Sequence, residues 1–420
     1  MKKINFKGLD IAFYKETLKN KLDIYLIPYE NKKNYFISYG THFGSDVIEF
    51  ENNKEKYRPP LGIAHFLEHK MFEQESTIDP FEFFLETGTD GNASTSFDST
   101  QYICYGTKGF ERNLKFLLEF VNSPYFTDKN VEKEKGIIAE EIKMYADVPD
   151  YKLETVLREA LYKNNPRRLD IAGTVAEINK ITKEDLYTCY NNFYTPENMF
   201  VLVVGNFDKD KALEIIKEVV GNKETKPLPK IIIPKEPNEV FKKSQTLKAN
   251  IEVPKLAFGL KVPTSDLNLT GIELDLYLSL LTTILFGASS EFRETARTEK
   301  LLNNIYTEWE TTTNFKTYYL LASTEKPNEL LKEIKNVLAN ISITEQEFNR
   351  LKKVWISNEV KMIDNINATV SNVYDDIIKY QEIIPNRLDL IKNLKLSILE
   401  ELINKIDFEN TSDVIMTKNI

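Results

Sequence analysis

Two histidines lie four residues apart in His65-Phe66-Leu67-Glu68-His69, in a chain of 420 residues with three histidines in all. On a helix, positions four apart stand one above the other and the position three along borders the same face. Both imidazoles and the Glu68 carboxylate can therefore converge on one point. Imidazole nitrogens are good zinc ligands, but two of them leave the usual catalytic set of three protein ligands one short. The best source of the third is the acidic segment VEKEKGIIAEEIKMY, where Glu134, Ile138, Glu141 and Tyr145 fall on one stripe at helical spacing. Glu140 is rotated about 100° from Glu141 toward the more solvated side. Glu141 is thus the expected ligand, with Glu134 as an acid that supports the ligands from behind. Manganese or cobalt could take the same donors, although two imidazoles and one carboxylate favour zinc. Taken singly, the two segments also read as a polar histidine pair packed under a loop and as a solvated acidic face. An attacking water would need a base, and Glu68, between the histidines, is the residue spaced to serve.

Those side chains need a frame. PPLGIAHFLEHKMF reads as the helix that carries the histidines, with Pro59 and Pro60 suiting its start and first turn. KLDIYLIPY and NYFISYGTHF read as paired strands ahead of it and STSFDSTQYICYG as one strand after it. Helices are expected over 127–146 and 152–162. The stretch GNKETKPLPKIIIPKEPNE, with four prolines and a cluster of lysines, marks a linker. The expected organisation is a metal-binding N-terminal domain over 1–222, a linker over 223–239 and a C-terminal domain over 240–420. Beyond the linker the order recurs: LAFGLKVP as a strand, a helix over 271–285, and YYLLAST as a strand. Glu141-Ile142-Lys143-Met144 also matches Glu359-Val360-Lys361-Met362 at an offset of 218. Two related halves are expected. At that offset His65 falls on Thr283, and no histidine follows His69, so only the first half can hold a metal in this way.

The bulk numbers exclude other classes. Lys plus Arg total 55 and Asp plus Glu 64, a net charge of −9 that repels nucleic acid and anionic lipid unless a local basic face compensates. The one basic run is in the linker. No window approaches the ~18 uninterrupted apolar residues of a membrane helix, so no integral membrane segment is expected. The basic N-terminus is broken by Lys7, Asp10 and Lys15 before an apolar region can form, which argues against a secretory signal. Cys104 and Cys189 show neither CxxC spacing nor a disulfide framework; they read as small apolar residues in a reducing, cytoplasmic setting.

HFLEH resembles the inverted-zincin motif, and the wider sequence resembles the pitrilysin/insulinase family of metallopeptidases, in particular half-length bacterial subunits of the processing-peptidase branch. The resemblance covers nearly the whole chain. It includes Gly40-Thr41-His42-Phe43-Gly44-Ser45, Leu61-Gly62-Ile63-Ala64, Gly91-Asn92-Ala93-Ser94-Thr95-Ser96 with Thr100-Gln101-Tyr102, and the run from Glu134 to Glu141. In such enzymes a distal glutamate some seventy-odd residues after the second histidine completes the zinc site, and another lies seven positions earlier; these match Glu141 and Glu134. The resemblance implies an α+β fold of two tandem homologous αβ domains, each a mixed, mainly antiparallel sheet packed with helices. It further implies peptide substrates held in a chamber between paired halves, with Asn92, Ala93 and Ser94 on an edge strand to which a peptide adds. Active members carry an Arg and a Tyr seven apart in the second half. Here Arg297 matches the Arg, but the Tyr position is Asn304, with Tyr306, Tyr318 and Tyr319 nearby. The resemblance therefore implies a dimer, and the missing Tyr suggests a heterodimer with a related subunit that lacks the zinc motif. A non-catalytic, peptide-presenting subunit and a zinc hydrolase acting on a small molecule are the rival readings.

Overall fold

The structure is a computed structural model that describes residues 1–76, 78–265 and 267–419. The first half forms strands β1 (Lys2–Asn5), β2 (Ala12–Thr17), β3 (Asp23–Pro28), β4 (Tyr35–Thr41), β5 (Phe50–Asn52), β6 (Glu55–Tyr57), β7 (Asp90–Thr95), β8 (Thr100–Gly106), β9 (Met199–Gly205) and β10 (Lys230–Ile231). Its helices are α1 (Ile63–Met71), α2 (Pro80–Leu85), α3 (Phe110–Val121), α4 (Asp128–Ala146), α5 (Pro149–Leu161), α6 (Val175–Ile178), α7 (Lys183–Phe193) and α8 (Lys209–Val220). The second half adds β11 (Ser244–Ala249), β12 (Lys255–Pro263), β13 (Asn304–Thr311), β14 (Phe315–Ser323) and β15 (Thr411–Lys418). Helices α9 (Gly271–Phe286), α10 (Glu291–Thr298), α11 (Pro327–Ala339), α12 (Glu345–Met362), α13 (Ile366–Tyr380), α14 (Arg387–Asn393) and α15 (Leu396–Ile403) complete it.

The first compact unit is built on a sheet of order β1-β2-β3-β9-β4-β8-β7, antiparallel except for the β3–β9 pair. β9 reads MFVLVVG and is buried along its length, as an interior strand covered on both faces must be. Successive side chains leave a strand on opposite faces. Ile24, Leu26, Val201 and Val203 therefore join a core with α1, α3, α7 and α8, while Tyr25, Ile27, Phe200, Leu202 and Val204 pack on the other face against Ile366, Val373 and Ile377 of α13. The second unit has the order β11-β15-β12-β14-β13 with only β11–β15 parallel. Phe258, Leu260 and Leu320 face α9 and α11, and Ala257, Tyr319, Val414 and Met416 face Leu153, Leu157 and Leu161 of α5. The fold is thus α+β, two related αβ domains with mixed, mainly antiparallel sheets.

The compact units are not contiguous stretches. The first comprises 1–143, 170–233 and 362–385, and the second 144–169, 234–361 and 386–420. Each half of the sequence lends one helix, α5 or α13, to the other unit's sheet. The stretch expected as a linker divides between them: Ile231 pairs with Phe50 in the first unit, while the side chain of Glu236 is buried in the second, ion-paired to Lys261 at 2.7 Å. The 218-residue offset carries α3, α4 and α5 onto α11, α12 and α13 to within two residues. Carried upstream it overshoots and sets α1 across the end of α9, so Thr283 is a match of numbering only.

Two expectations need correction. STSFDSTQYICYG is not one strand but the end of β7, a turn, and β8: Ser96 N–H donates to Ser99 O at 2.8 Å, and the Ser96 hydroxyl accepts from the N–H groups of Asp98 and Ser99 where the backbone reverses. Pro59 and Pro60 precede the helix, which starts only after Gly62 turns the chain through a left-handed conformation. The stretch 271–298 is long and apolar enough to span a membrane by length and composition, but it is two helices, and Leu274, Leu278, Leu281 and Ile284 are spent on the second unit's core. Cys104 and Cys189 are free and buried.

Candidate active site

α1 enters the first unit's core through Ile63, Phe66, Leu67 and Met71, which leaves His65, Glu68 and His69 along the opposite border of the helix. Its start is fixed by Gly62, at φ 87°, whose Cα lies so close to the Ala172 backbone that a Cβ there would stand 2.3 Å from the carbonyl oxygen. α4 is anchored by Val131 and Ile138. A reciprocal cap sets its first turn: Asn130 N–H donates to Thr127 Oγ1 at 3.1 Å, and Thr127 N–H donates to Asn130 Oδ1 at 2.9 Å. With both helices so held, the stripe Glu134–Ile138–Glu141 faces α1. It ends there, since Tyr145 is exposed, and Glu140 points outward to Lys143 at 2.6 Å.

Donor atoms of His65, His69 and Glu141 lie within 4.8 Å of one another. His65 Nε2 is 3.8 Å from Glu141 Oε1 and His69 Nε2 is 3.5 Å from Glu141 Oε2. Ligands about 2.0–2.1 Å from one zinc at tetrahedral angles stand roughly 3.3 Å apart, so this donor set has the right chemistry for such an ion and would draw together to share it. Glu134 closes the far side, its Oε1 accepting from His69 Nδ1–H at 3.1 Å, which turns Nε2 toward Glu141. Glu68 is 9% exposed, and Thr95 Oγ1–H donates to its Oε2 at 2.5 Å.

The electrostatics follow from burial first. Desolvation, with the neighbouring His69 charge, lowers the His65 pKa to about 4, so its imidazole is neutral and free to bind a cation. Burial also works against a charge on His69, but the Glu134 hydrogen bond and the carboxylates of Glu134, Glu68 and Glu141 outweigh it and raise that pKa. Burial raises the Glu68 pKa against the opposing pull of the Thr95 hydroxyl, which suits a group that must accept a proton and then return it. At Glu134 burial pushes upward, yet the hydrogen bond from His69 and the charge of Lys70 hold the carboxyl below its ordinary value.

β7 is the outermost strand of its sheet, paired among the described residues only with β8 through Asn92↔Ile103, Ala93↔Tyr102 and Ser94↔Gln101. Asn92 and Ser94 are exposed while Ala93 and Thr95 turn inward, so the strand that could accept a peptide along its free edge also carries the hydroxyl that holds Glu68. Arg297 belongs to the second unit, exposed on α10 and paired with Glu294 at 2.6 Å. Asn304 opens β13, and its Oδ1 accepts from Ser323 N–H at 3.0 Å. Of the nearby tyrosines, Tyr318 and Tyr319 are buried in β14; Tyr306 is 58% exposed.

Sequence reasoning misses two residues that touch this group. Lys70 takes a position on the apolar stripe of α1, seven after Ile63, and a lysine there signals a buried counter-charge. Thr95 lies inside a motif read for backbone contacts, and nothing in its spacing marks a hydroxyl aimed at α1.

Residues 54–175 match the family described as insulinase (peptidase family M16), and residues 180–354 match that described as the peptidase M16 inactive domain. YmfH of Bacillus subtilis, described as an uncharacterized zinc protease, is 35% identical over 426 residues, spanning 98% of this chain and 97% of its own. The zinc protease PqqE of Helicobacter pylori is 25% identical over 422 residues, 96% of this chain and 92% of that one. The crystal structure of an M16-like peptidase from Alicyclobacillus acidocaldarius superposes with a TM-score of 0.92 at 30% identity, covering 99% of this chain and 100% of that one. Fold and matches together define a two-domain protein of the zinc-peptidase class. The chain belongs to the insulinase, or M16, family of peptidases.

Proposed function

We propose that this chain is a zinc-dependent endopeptidase in which His65, His69 and Glu141 hold the metal, Glu68 is the general base and Glu134 orients His69. The observation that carries the reading is the meeting of two imidazoles from α1 and one carboxylate from α4, 72 residues beyond His69, within 4.8 Å. Zinc bound by these donors would lower the pKa of water and polarise a peptide carbonyl. Glu68 takes the proton of the attacking water and returns it to the leaving amine, a role worth typically ~10²–10⁴-fold. The substrate lies antiparallel to β7 as an added strand, with backbone hydrogen bonds along Asn92, Ala93 and Ser94 fixing its register. Such recognition suits short or unfolded chains, which can present an extended backbone.

The second unit supports a division of labour. Asn304 stands where the family carries its tyrosine, its side chain engaged with Ser323, and two of the three neighbouring tyrosines are buried. The working enzyme is therefore a dimer around a chamber, in which a related partner lacking the zinc motif supplies the absent hydroxyl while Arg297 of this chain contacts substrate. Full activity from the purified chain alone would overturn that part.

Digestion of an unstructured peptide, with and without a chelator, tests the core reading. Glu68→Gln should retain stoichiometric zinc and lose turnover by ~10²-fold or more. His65→Ala, His69→Ala and Glu141→Ala should lose the metal itself. Peptide cleavage by Glu68→Gln at the unsubstituted rate would sink the assignment.

A further inference from the structure

Lys70 is a lysine whose side chain has 0% exposure, directly after the second histidine of α1. Burying an ammonium is unfavourable unless it is paired and hydrogen-bonded. Its Nζ donates to Glu73, one turn on, and to Glu134 Oε2 at 3.5 Å. The second oxygen of the same carboxylate, Glu134 Oε1, accepts from His69 Nδ1–H at 3.1 Å. One carboxylate is thus fixed at both oxygens, between a buried ammonium and an imidazole.

We propose that Lys70 is a positioning residue of the metal site, holding Glu134 by one oxygen so that the other fixes His69 with its Nε2 turned to Glu141. The inference rests on the reading of His65, His69 and Glu141 as metal ligands. Lys70 acts on those donors only through Glu134. A purely structural pairing of Lys70 would be satisfied by Glu73, which is partly exposed and follows the end of α1. Glu134 is different: its side chain is 11% exposed, and it joins the ammonium to a ring of the donor set. Without Lys70 the Glu134 carboxylate loses the partner of Oε2 and can turn about its last torsion. His69 then loses the acceptor that fixes its ring. Loss of such an outer partner typically weakens a metal site ~10–100-fold.

The test is zinc affinity of the full chain, measured by competition with a chromophoric chelator, together with thermal unfolding of the metal-free protein. Lys70→Met should weaken zinc binding ~10–100-fold, and Glu134→Gln should weaken it comparably. The double variant should bind no more weakly than Glu134→Gln alone, because the first residue acts through the second. A Lys70→Met protein that binds zinc as tightly as the unsubstituted chain overturns the proposal. So does a double variant whose loss is the product of the two single losses. Should Lys70→Met fail to fold, Lys70→Leu, which also removes the donor to Glu134 while keeping an apolar side chain in its place, carries the same expectation and the same refutation. The unsubstituted chain is titrated first: if it binds no zinc, the ligand reading fails and this proposal falls with it, whereas tight binding there with unchanged variants defeats the Lys70 role alone.

Discussion

Gly62→Ala probes how the fold holds the histidine helix. Gly62 is the N-cap of α1 at φ 87°, three residues before His65, and a Cβ there would lie 2.3 Å from Ala172 O and 2.8 Å from the Ala172 carbonyl carbon. The left-handed conformation costs an L-residue about 1–2 kcal/mol. Pressing a methyl group against backbone that cannot rotate aside adds typically ~1–3 kcal/mol. The expected loss is therefore roughly 2–5 kcal/mol. Gly88→Ala separates the two parts, because Gly88 has φ 63° and a methyl group there would meet nothing within 4 Å, so only the conformational part, about 1–2 kcal/mol, applies. Urea unfolding of both variants gives the stabilities, and chelator competition on the folded fraction gives zinc affinity. Relief of the clash has to move the first turn of α1, so Gly62→Ala should also bind zinc more weakly, while Gly88→Ala should not. Equal stability of the two variants within ~0.5 kcal/mol, with equal zinc affinity, would refute the claim that this close backbone approach sets the helix.

Two further outcomes follow from single side chains. Gly136 lies in the middle of α4, between Glu134 and Glu141, with open space around a Cβ; Gly136→Ala should stabilise the chain by about 0.5–1 kcal/mol in the same urea assay and leave zinc affinity unchanged. Lys223 is pushed down to about 8 by burial and by the neighbouring Lys226 charge, although its Nζ donates to Tyr194 O at 3.1 Å. Below pH 8 both folded and unfolded chains carry that proton and the fold bears the full cost of burying it; between pH 8 and about 10.5 only the unfolded chain holds it, so stability rises with pH. The stability of Lys223→Met relative to the unsubstituted chain should accordingly fall by up to about 3 kcal/mol from about pH 7 to about pH 10.5, read by urea unfolding at each pH, and a difference that stays flat would contradict it.

What is legible at the site from sequence is what periodicity can carry. The four-residue spacing of His65 and His69 and the stripe through Glu134, Ile138 and Glu141 each define one face of one helix, and the structure turns those two faces toward each other. Glu140, one position off the stripe, points to Lys143. Periodicity does not tell what a face will meet. Thr95 reaches Glu68 only because the chain reverses at 96–99, and the alternating pattern of STSFDSTQYICYG runs through that reversal without a break. Lys70, on the apolar stripe of α1, implies a buried counter-charge, but the stripe does not say which, because the carboxylate that meets it lies 64 residues away.

The exchange of α5 and α13 between units has the same origin, and it bears on why the candidate metal donors can sit in one half alone. Leu153, Leu157 and Leu161 form an apolar stripe on α5 that any sheet face of suitable size could cover, so the stripe dictates that the helix is buried on one side but not which sheet receives it. The corresponding stripe of α13, Ile366, Val373 and Ile377, covers the first unit's sheet on the face opposite α1. Each sheet is then closed on one side by a helix whose register owes nothing to the donors, and on the other by helices that begin the site in the first unit and are apolar in the second. Ala257, Tyr319 and Val414 meet α5 in the second unit much as Tyr25, Phe200 and Leu202 meet α13 in the first. Changes on the α1 and α9 faces are thereby uncoupled from this packing: α1 can keep two histidines and two buried charges beside the core while α9 fills its own with Leu274, Leu278 and Leu281, and neither choice disturbs the helix on the opposite face of the sheet.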